Sequence, residues 1–145
     1  NVLQSMILTD KEKMVLTPTY YVFKMYVPFQ DATFIPVAFD AGVYTHDGVS
    51  LPRVDAIAAK STDGKLLIEI TNLDAENPAV IDADLAGITA KSAKAEMLSG
   101  AAVDSINTFD LPNTVVPKPA AVKLQNGKLS LTVAPRSVTV VSIEP

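Results

Sequence analysis

The sequence predicts a mainly β protein: an antiparallel β-sandwich of jelly-roll type, preceded by one strand and one helix. Three observations lead to this prediction. Short stretches of alternating apolar and polar residues recur along residues 31–145, as is typical of strands with one buried face. Asp-Gly and Asn-Gly pairs separate some of these stretches, and both pairs favour tight hairpin turns. A helical pattern is confined to the first 30 residues.

The chain begins with the apolar stretch NVLQSMIL, which favours a buried strand, and the charged run TDKEKM follows it as a predicted loop. The start has no initiator Met, no basic region and no cleavage site of the kind that signal peptides carry. The apolar residues therefore begin abruptly. We expect a piece of a longer protein.

The stretch VLTPTYYVFKMY predicts a helix that starts at Thr17. Thr17 suits the N-cap, and Pro18 suits the first helical position, where the missing N–H of proline costs nothing. Apolar side chains then recur at three- and four-residue spacing along one stripe, namely Tyr20, Phe23, Tyr26 and Val27. Because nothing nearby supplies a partner for this stripe, we expect an exposed apolar patch around Phe23 and Tyr26.

Beyond residue 30 the pattern becomes strand-like, and Pro28 and Pro36 punctuate the connection. VDAIAAKSTDGKLLIEITNLD predicts a hairpin around Asp63-Gly64, with one strongly apolar and one mixed face on its second strand. AVIDADLAG predicts a half-exposed strand. AVKLQNGKLSLTV repeats the hairpin pattern around Asn126-Gly127, and SVTVVSIEP predicts a β-branched last strand. These elements favour an antiparallel sandwich.

The composition restricts the classes of partner. Hydrophobic residues make up 48% and charged residues 19% of the 145 residues, which is a globular composition. With a net charge of −4 and dispersed lysines, the chain offers no basic face for nucleic acid. No apolar run approaches the roughly 20 residues of a membrane span, so no membrane partner is expected. The absence of cysteine excludes disulfides but leaves the compartment, cytoplasmic or periplasmic, open.

Catalytic and metal-binding patterns are missing from the sequence. His46 is the only histidine and lies in a predicted turn built on Asp47-Gly48, where a surface loop residue is the better interpretation. Asp82 and Asp84 share a strand face, but a hard cation needs about six oxygen ligands and no acidic loop surrounds them. No glutamates stand in a pattern that pairs two carboxylates across a cleft for sugar hydrolysis. The sequence also has no phosphate-binding glycine loop and no G-x-S-x-G elbow. We therefore expect no catalytic residue, metal or cofactor in this chain.

Two stretches carry a resemblance to a known family. NVLQSMILTDKEKMVLTPTYYVFKMYVPFQDAT resembles the last strand and helix of the catalytic barrel in α-L-arabinofuranosidases of glycoside hydrolase family 51. DSINTFDLPNTVVP resembles the Asn-Thr-Phe segment of that family's carboxy-terminal β-domain. The hairpin around Asp63-Gly64 and the closing strands LSLTVAPRSVTVVSIEP are similar to parts of the same domain. Tyr21 departs from the pattern, which has histidine there.

The resemblance implies two units: residues 1–30 as a remnant of a (β/α)₈ barrel and residues 31–145 as the carboxy-terminal β-sandwich domain. It also implies that the two catalytic glutamates of this retaining family lie on earlier barrel strands, outside this chain. On the family pattern, Gln4 ends the eighth strand and hydrogen-bonds the arabinose of the substrate. An amide suits sugar hydroxyls because it both donates and accepts.

The implied parent enzyme removes terminal non-reducing α-L-arabinofuranosyl residues with retention, from arabinan, arabinoxylan or their oligosaccharides. Its implied partners are the remainder of the barrel, the arabinose-containing saccharide and further copies in a homo-oligomer. The chain itself is then structural and inactive. Two alternatives stay open: an independent carbohydrate-binding module, although the chain has no Trp to stack on a sugar, and a generic adhesion-type sandwich, which would need neither the helix nor Gln4.

Overall fold

The computed structural model describes residues 5–85 and 87–145 of the chain. Gln4, the predicted substrate-binding residue, lies outside the described residues. One α-helix is described, close to the N-terminus, together with a 3-10 turn at Val27–Phe29. The elements in chain order are β1 (Ile7–Asp10), β2 (Lys13–Leu16), α1 (Pro18–Tyr26), β3 (Thr33–Ile35), β4 (Val43–His46), β5 (Val49–Pro52), β6 (Val54–Lys60), β7 (Leu66–Asn72), β8 (Ala79–Asp84), β9 (Ser92–Ser99), β10 (Lys118–Ala120), β11 (Val122–Gln125), β12 (Lys128–Val133) and β13 (Ser137–Glu144).

Two antiparallel sheets form the sandwich. The large sheet has the order β10-β9-β13-β7-β6-β3, and the small sheet has the order β11-β12-β8. The alternation of each strand sends one set of apolar side chains between the sheets. The buried core includes Ile68, Ile70, Leu129, Val133, Val141 and Ile143. The predicted antiparallel sandwich is confirmed.

The hairpin turns follow the predicted pairs in two places. Asn126 and Gly127 take φ values of 52° and 73°, which suit a two-residue turn between β11 and β12. Asp47 and Gly48 do the same between β4 and β5. The hairpin of β6 and β7 is also present, but residues 61–65 form a wider loop, because the Ser61 N–H bonds to the carbonyl of Lys65 at 2.9 Å.

The N-terminal segment differs from the predicted strand, loop and helix. TDKEKM is not a loop but spans a hairpin: Thr9 and Asp10 end β1, Lys11 and Glu12 form the turn, and β2 starts at Lys13 and pairs with β1. This turn is possible because Lys11 adopts a φ of 53°, in the left-handed region. Ile7 remains 43% exposed, so the prediction of a buried strand is wrong for β1.

Helix α1 begins as predicted. The Thr17 hydroxyl caps it by accepting from the Tyr20 N–H at 3.4 Å, and Pro18 is the first helical residue. The helix lies on the outer face of the large sheet, over β9 and β13. Its Met25 is buried in a second cluster with Leu98 and Val140.

The face of α1 that packs on the sheet is not the predicted stripe. Tyr21, Val22 and Met25 face the sheet. Phe23 and Val27, which belong to the predicted stripe, are 62% and 54% exposed. The expected exposed patch is thus confirmed at Phe23. It is wrong at Tyr26, which is half-buried and packs its ring 5.6 Å from that of Phe29.

No helix in the described part of the chain has the length and hydropathy to cross a bilayer.

Candidate functional site

A buried polar cluster lies beneath α1 on the outer face of the large sheet. Since Ile68 and Ile70 point into the core, Glu69 and Thr71 of β7 alternate with them and point towards the helix. Glu69 is only 2% exposed. Its carboxylate accepts a hydrogen bond of 2.6 Å from the Thr71 hydroxyl. The Tyr26 hydroxyl of α1 lies near this carboxylate and lowers its pKa, so the cluster joins helix to sheet.

The pKa of Glu69 reflects the removal of its carboxyl group from water. Burial raises the pKa of Glu69, the hydrogen bonds from Thr71 and Tyr26 oppose the rise, and the nearby Asp55 charge adds to it. The pKa of Tyr26 is raised too, first by burial and then by the Glu69 charge. In the described residues no Lys or Arg nitrogen lies within 4.0 Å of the Glu69 carboxylate. Hydrogen bonding rather than a cationic partner therefore holds this carboxyl.

A second buried contact fastens the N-terminal segment to the loop between β9 and β10. The side-chain amide of Asn107 donates to the carbonyls of Leu16 and Val115, each at 2.9 Å. Its carbonyl oxygen accepts from the Val115 N–H at 2.7 Å. Both amide hydrogens are thus used, and the oxygen has a partner. Asn107 thus links elements that lie far apart in the sequence, and we call these three hydrogen bonds the Asn107 clip.

In the described residues, six of the 18 exposed large apolar side chains lie in the N-terminal segment, between Met6 and Val27. Residues paired across an antiparallel ladder share a face, so Met14 lies with Thr9 on one face of the β1–β2 hairpin, and Val15 lies with Leu8 on the other. Val15 is 1% exposed, but Leu8 on the same face is 39% exposed. We call the exposed set the N-terminal apolar surface: Met6, Ile7, Leu8, Met14, Phe23 and Val27. A contiguous patch of exposed apolar side chains would mark an interaction site.

The other residues singled out in the sequence form no site. His46 is exposed, and its imidazole lies 3.5 Å from the Asp47 carboxylate and stacks on the Tyr44 ring. Asp82 and Asp84 point to solvent on β8. The described ranges contain no group of three or more His, Asp or Glu arranged for a metal ion.

Sequence reasoning missed Glu69 and Asn107. Glu69 had a detectable signal, since it is the one charged residue in the apolar strand LLIEITN. Its burial depends on a helix more than forty positions earlier in the chain, which the strand pattern does not reveal. Asn107 appeared only as part of a family-like segment, and its three hydrogen bonds depend on tertiary structure.

The fold defines a β-sandwich domain with an N-terminal helix packed on its large sheet. The sequence model of the α-L-arabinofuranosidase C-terminal domain matches residues 1–137. The chain belongs to that family, which confirms the resemblance to the carboxy-terminal region of family 51 arabinofuranosidases and leaves the adhesion-type alternative without support.

Individual relatives agree with this assignment. An intracellular exo-α-L-arabinofuranosidase of Bacteroides ovatus is 39% identical over 146 residues, which are 99% of this chain and 28% of the relative. The solved family 51 arabinofuranosidase of Xanthomonas axonopodis pv. citri is 35% identical, with a TM-score of 0.95 over 99% of this chain and 29% of that one. The thermostable family 51 enzyme of Thermotoga petrophila is 25% identical, with a TM-score of 0.80, and the match covers 95% of this chain and 31% of that one. This chain therefore spans less than a third of the length of each.

Proposed function

We propose that this chain is the carboxy-terminal accessory part of an α-L-arabinofuranosidase that removes terminal non-reducing arabinofuranosyl residues with retention. Its own role is structural: it braces the catalytic barrel. The family match supports the enzyme class. The observation that carries the bracing role is the two-sided helix, because α1 buries Met25 on the sandwich and presents Phe23, 62% exposed, on its other side.

A helix with two apolar sides belongs between two layers. We assign residues 1–30 to the end of the barrel and residues 31–145 to the β-domain. The clip at Asn107 and the cluster around Glu69 then lie at the junction of the two units, since both contacts reach back to residues before position 30.

The chemistry of the proposed reaction belongs to the missing part of the barrel. A retaining glycosidase needs a nucleophile and an acid/base about 5 Å apart, both supplied by carboxyl groups. The buried Glu69 faces a helix instead of a cleft. We assign Gln4 the role of a hydrogen-bonding partner of the bound arabinose, and we expect the assembled enzyme to form a homo-oligomer.

The test compares the 145-residue chain with the full-length product of its gene. We expect the full-length product to release 4-nitrophenol from 4-nitrophenyl α-L-arabinofuranoside and the chain alone to release none. In the full-length product, Phe23→Ser should lower thermal stability, whereas Leu111→Ser, an equally exposed apolar residue in the β9–β10 loop, should not. An inactive full-length product, or equal effects of the two substitutions, would contradict the proposal.

A further inference from the structure

A depression of about 270 Å³ opens between α1, β9 and the loop that leads to β10. Its polar side chains are Tyr21, Lys24, Glu96 and Asn113, and its apolar floor includes Met25 and Pro117. None of these residues has a part in the bracing role except Met25. The volume is below the roughly 300 to 1,000 Å³ of pockets for drug-sized ligands, so it suits one small ring.

Regular elements position the polar groups. Tyr21 and Lys24 are three residues apart on α1 and therefore lie on the same side of the helix. Glu96 lies opposite Val140 in the ladder, and since Val140 is buried beneath the helix, Glu96 points to the same outer face. The third side is the loop that the Asn107 clip holds at Val115. The depression is thus framed by a helix, a strand and a fastened loop.

The charged groups at the rim of the depression are exposed to water. In the described part of the protein, no ion pair within 4.0 Å uses the Lys24 ammonium or the Glu96 carboxylate. Lys24 can only donate, Glu96 when ionised can only accept, and Asn113 can do both. Their opposite charges cancel, so a neutral ligand with several hydroxyl groups is favoured over an anion. A sugar ring also has apolar C–H groups, which can pack on the Tyr21 ring and Pro117.

We propose that this depression binds one sugar unit of an arabinose-containing oligosaccharide. The position and the preference for a neutral polyol rest on the geometry. The choice of arabinose rests on the proposed function. An open site of this size, with three or four hydrogen-bonding side chains, should bind weakly, with a Kd of about 1 mM or above.

The test is an NMR titration of the ¹⁵N-labelled chain with arabinotriose and, separately, with cellotriose. We expect arabinotriose to shift the amide signals of the helix residues 21–25, of Glu96 and of residues 113–117. Glu96→Gln and Asn113→Ala should each weaken binding about fivefold or more. Glu12→Gln, an exposed carboxylate in the β1–β2 turn, is the matched control and should leave the Kd unchanged.

The outcomes separate this site from the proposed function, because the titration uses no catalytic barrel. Shifts that map elsewhere, absence of saturable shifts, or equal Kd values for Glu96→Gln and Glu12→Gln would overturn the site even if the full-length product is active. Saturable shifts lost in Glu96→Gln support the site even if that product is inactive. Binding of cellotriose with the same Kd would overturn the choice of arabinose.

Discussion

The side-chain amide of Asn107 donates a 2.9 Å hydrogen bond to the backbone carbonyl of Leu16, across 91 positions of the sequence. The carbonyl lies at the end of β2, immediately before the residue that caps α1. The same side-chain amide also hydrogen-bonds the backbone carbonyl and the backbone N–H of Val115. One buried side chain therefore fixes the start of the helix and the β9–β10 loop against each other.

Substitution of Asn107 by alanine should destabilise the chain by about 2–4 kcal/mol, because backbone groups of Leu16 and Val115 lose their partner in a buried place. Chemical denaturation gives this difference in the free energy of unfolding. Ile106→Ala removes an exposed neighbour and should change that free energy by less than about 0.5 kcal/mol. Equal effects of the two substitutions would show that the clip contributes nothing.

The pKa of Glu69 makes stability depend on pH. Burial raises this pKa above its ordinary value of 4.5, so the native state binds the proton more tightly than the unfolded chain does. The stabilisation from the protonated form is fully present below pH 4.5 and is lost as the pH rises through the raised pKa. Within that window the slope is at most about 1.4 kcal/mol per pH unit.

Glu69→Gln should therefore remove this loss and stabilise the chain at pH 7 relative to the original protein. Urea denaturation at a series of pH values measures the effect. Glu76→Gln, at an exposed loop position, should retain the original pH dependence. The interpretation fails if the Glu69 and Glu76 variants show the same slope between pH 4.5 and neutral pH.

Tyr26 affects the same carboxyl from the helix. Its hydroxyl lies near Glu69 and opposes the rise of the Glu69 pKa. Tyr26→Phe keeps the ring that packs on Phe29 but removes the hydroxyl. We expect the Glu69 pKa to rise further and the chain to lose about 1 kcal/mol at neutral pH. A ¹³C titration of the Glu69 side-chain carboxyl reports the pKa directly, and a fall or no change in it would contradict the proposed contact.

The sandwich could be predicted because its signals are local. Strand alternation and the Asn126-Gly127 pair each act within a few residues, and the structure keeps both. The docked face of α1 was not predictable in this way, because two sets of apolar residues share helical spacing and only the sheet decides between them. The burial of Glu69 was unpredictable for the same reason. The alternation in its strand indicates a mixed outer face, and the sequence does not show that another element packs on that face. The β1–β2 hairpin was missed because Lys11 gives no glycine-like signal for its left-handed turn.

The two sides of α1 should respond differently to truncation. In the 145-residue chain, Met25→Ala should cost about 2–5 kcal/mol, because it opens a cavity against Leu98 and Val140. Phe23→Ala should cost less than about 0.5 kcal/mol there, since this ring is mainly exposed. If the outward side packs on a catalytic barrel, Phe23→Ala becomes strongly destabilising in the full-length product while Met25→Ala keeps its cost. Thermal unfolding of both variants in both proteins tests this prediction. If the effect of Phe23→Ala stays small in the full-length product, the outward side of the helix does not pack on the barrel.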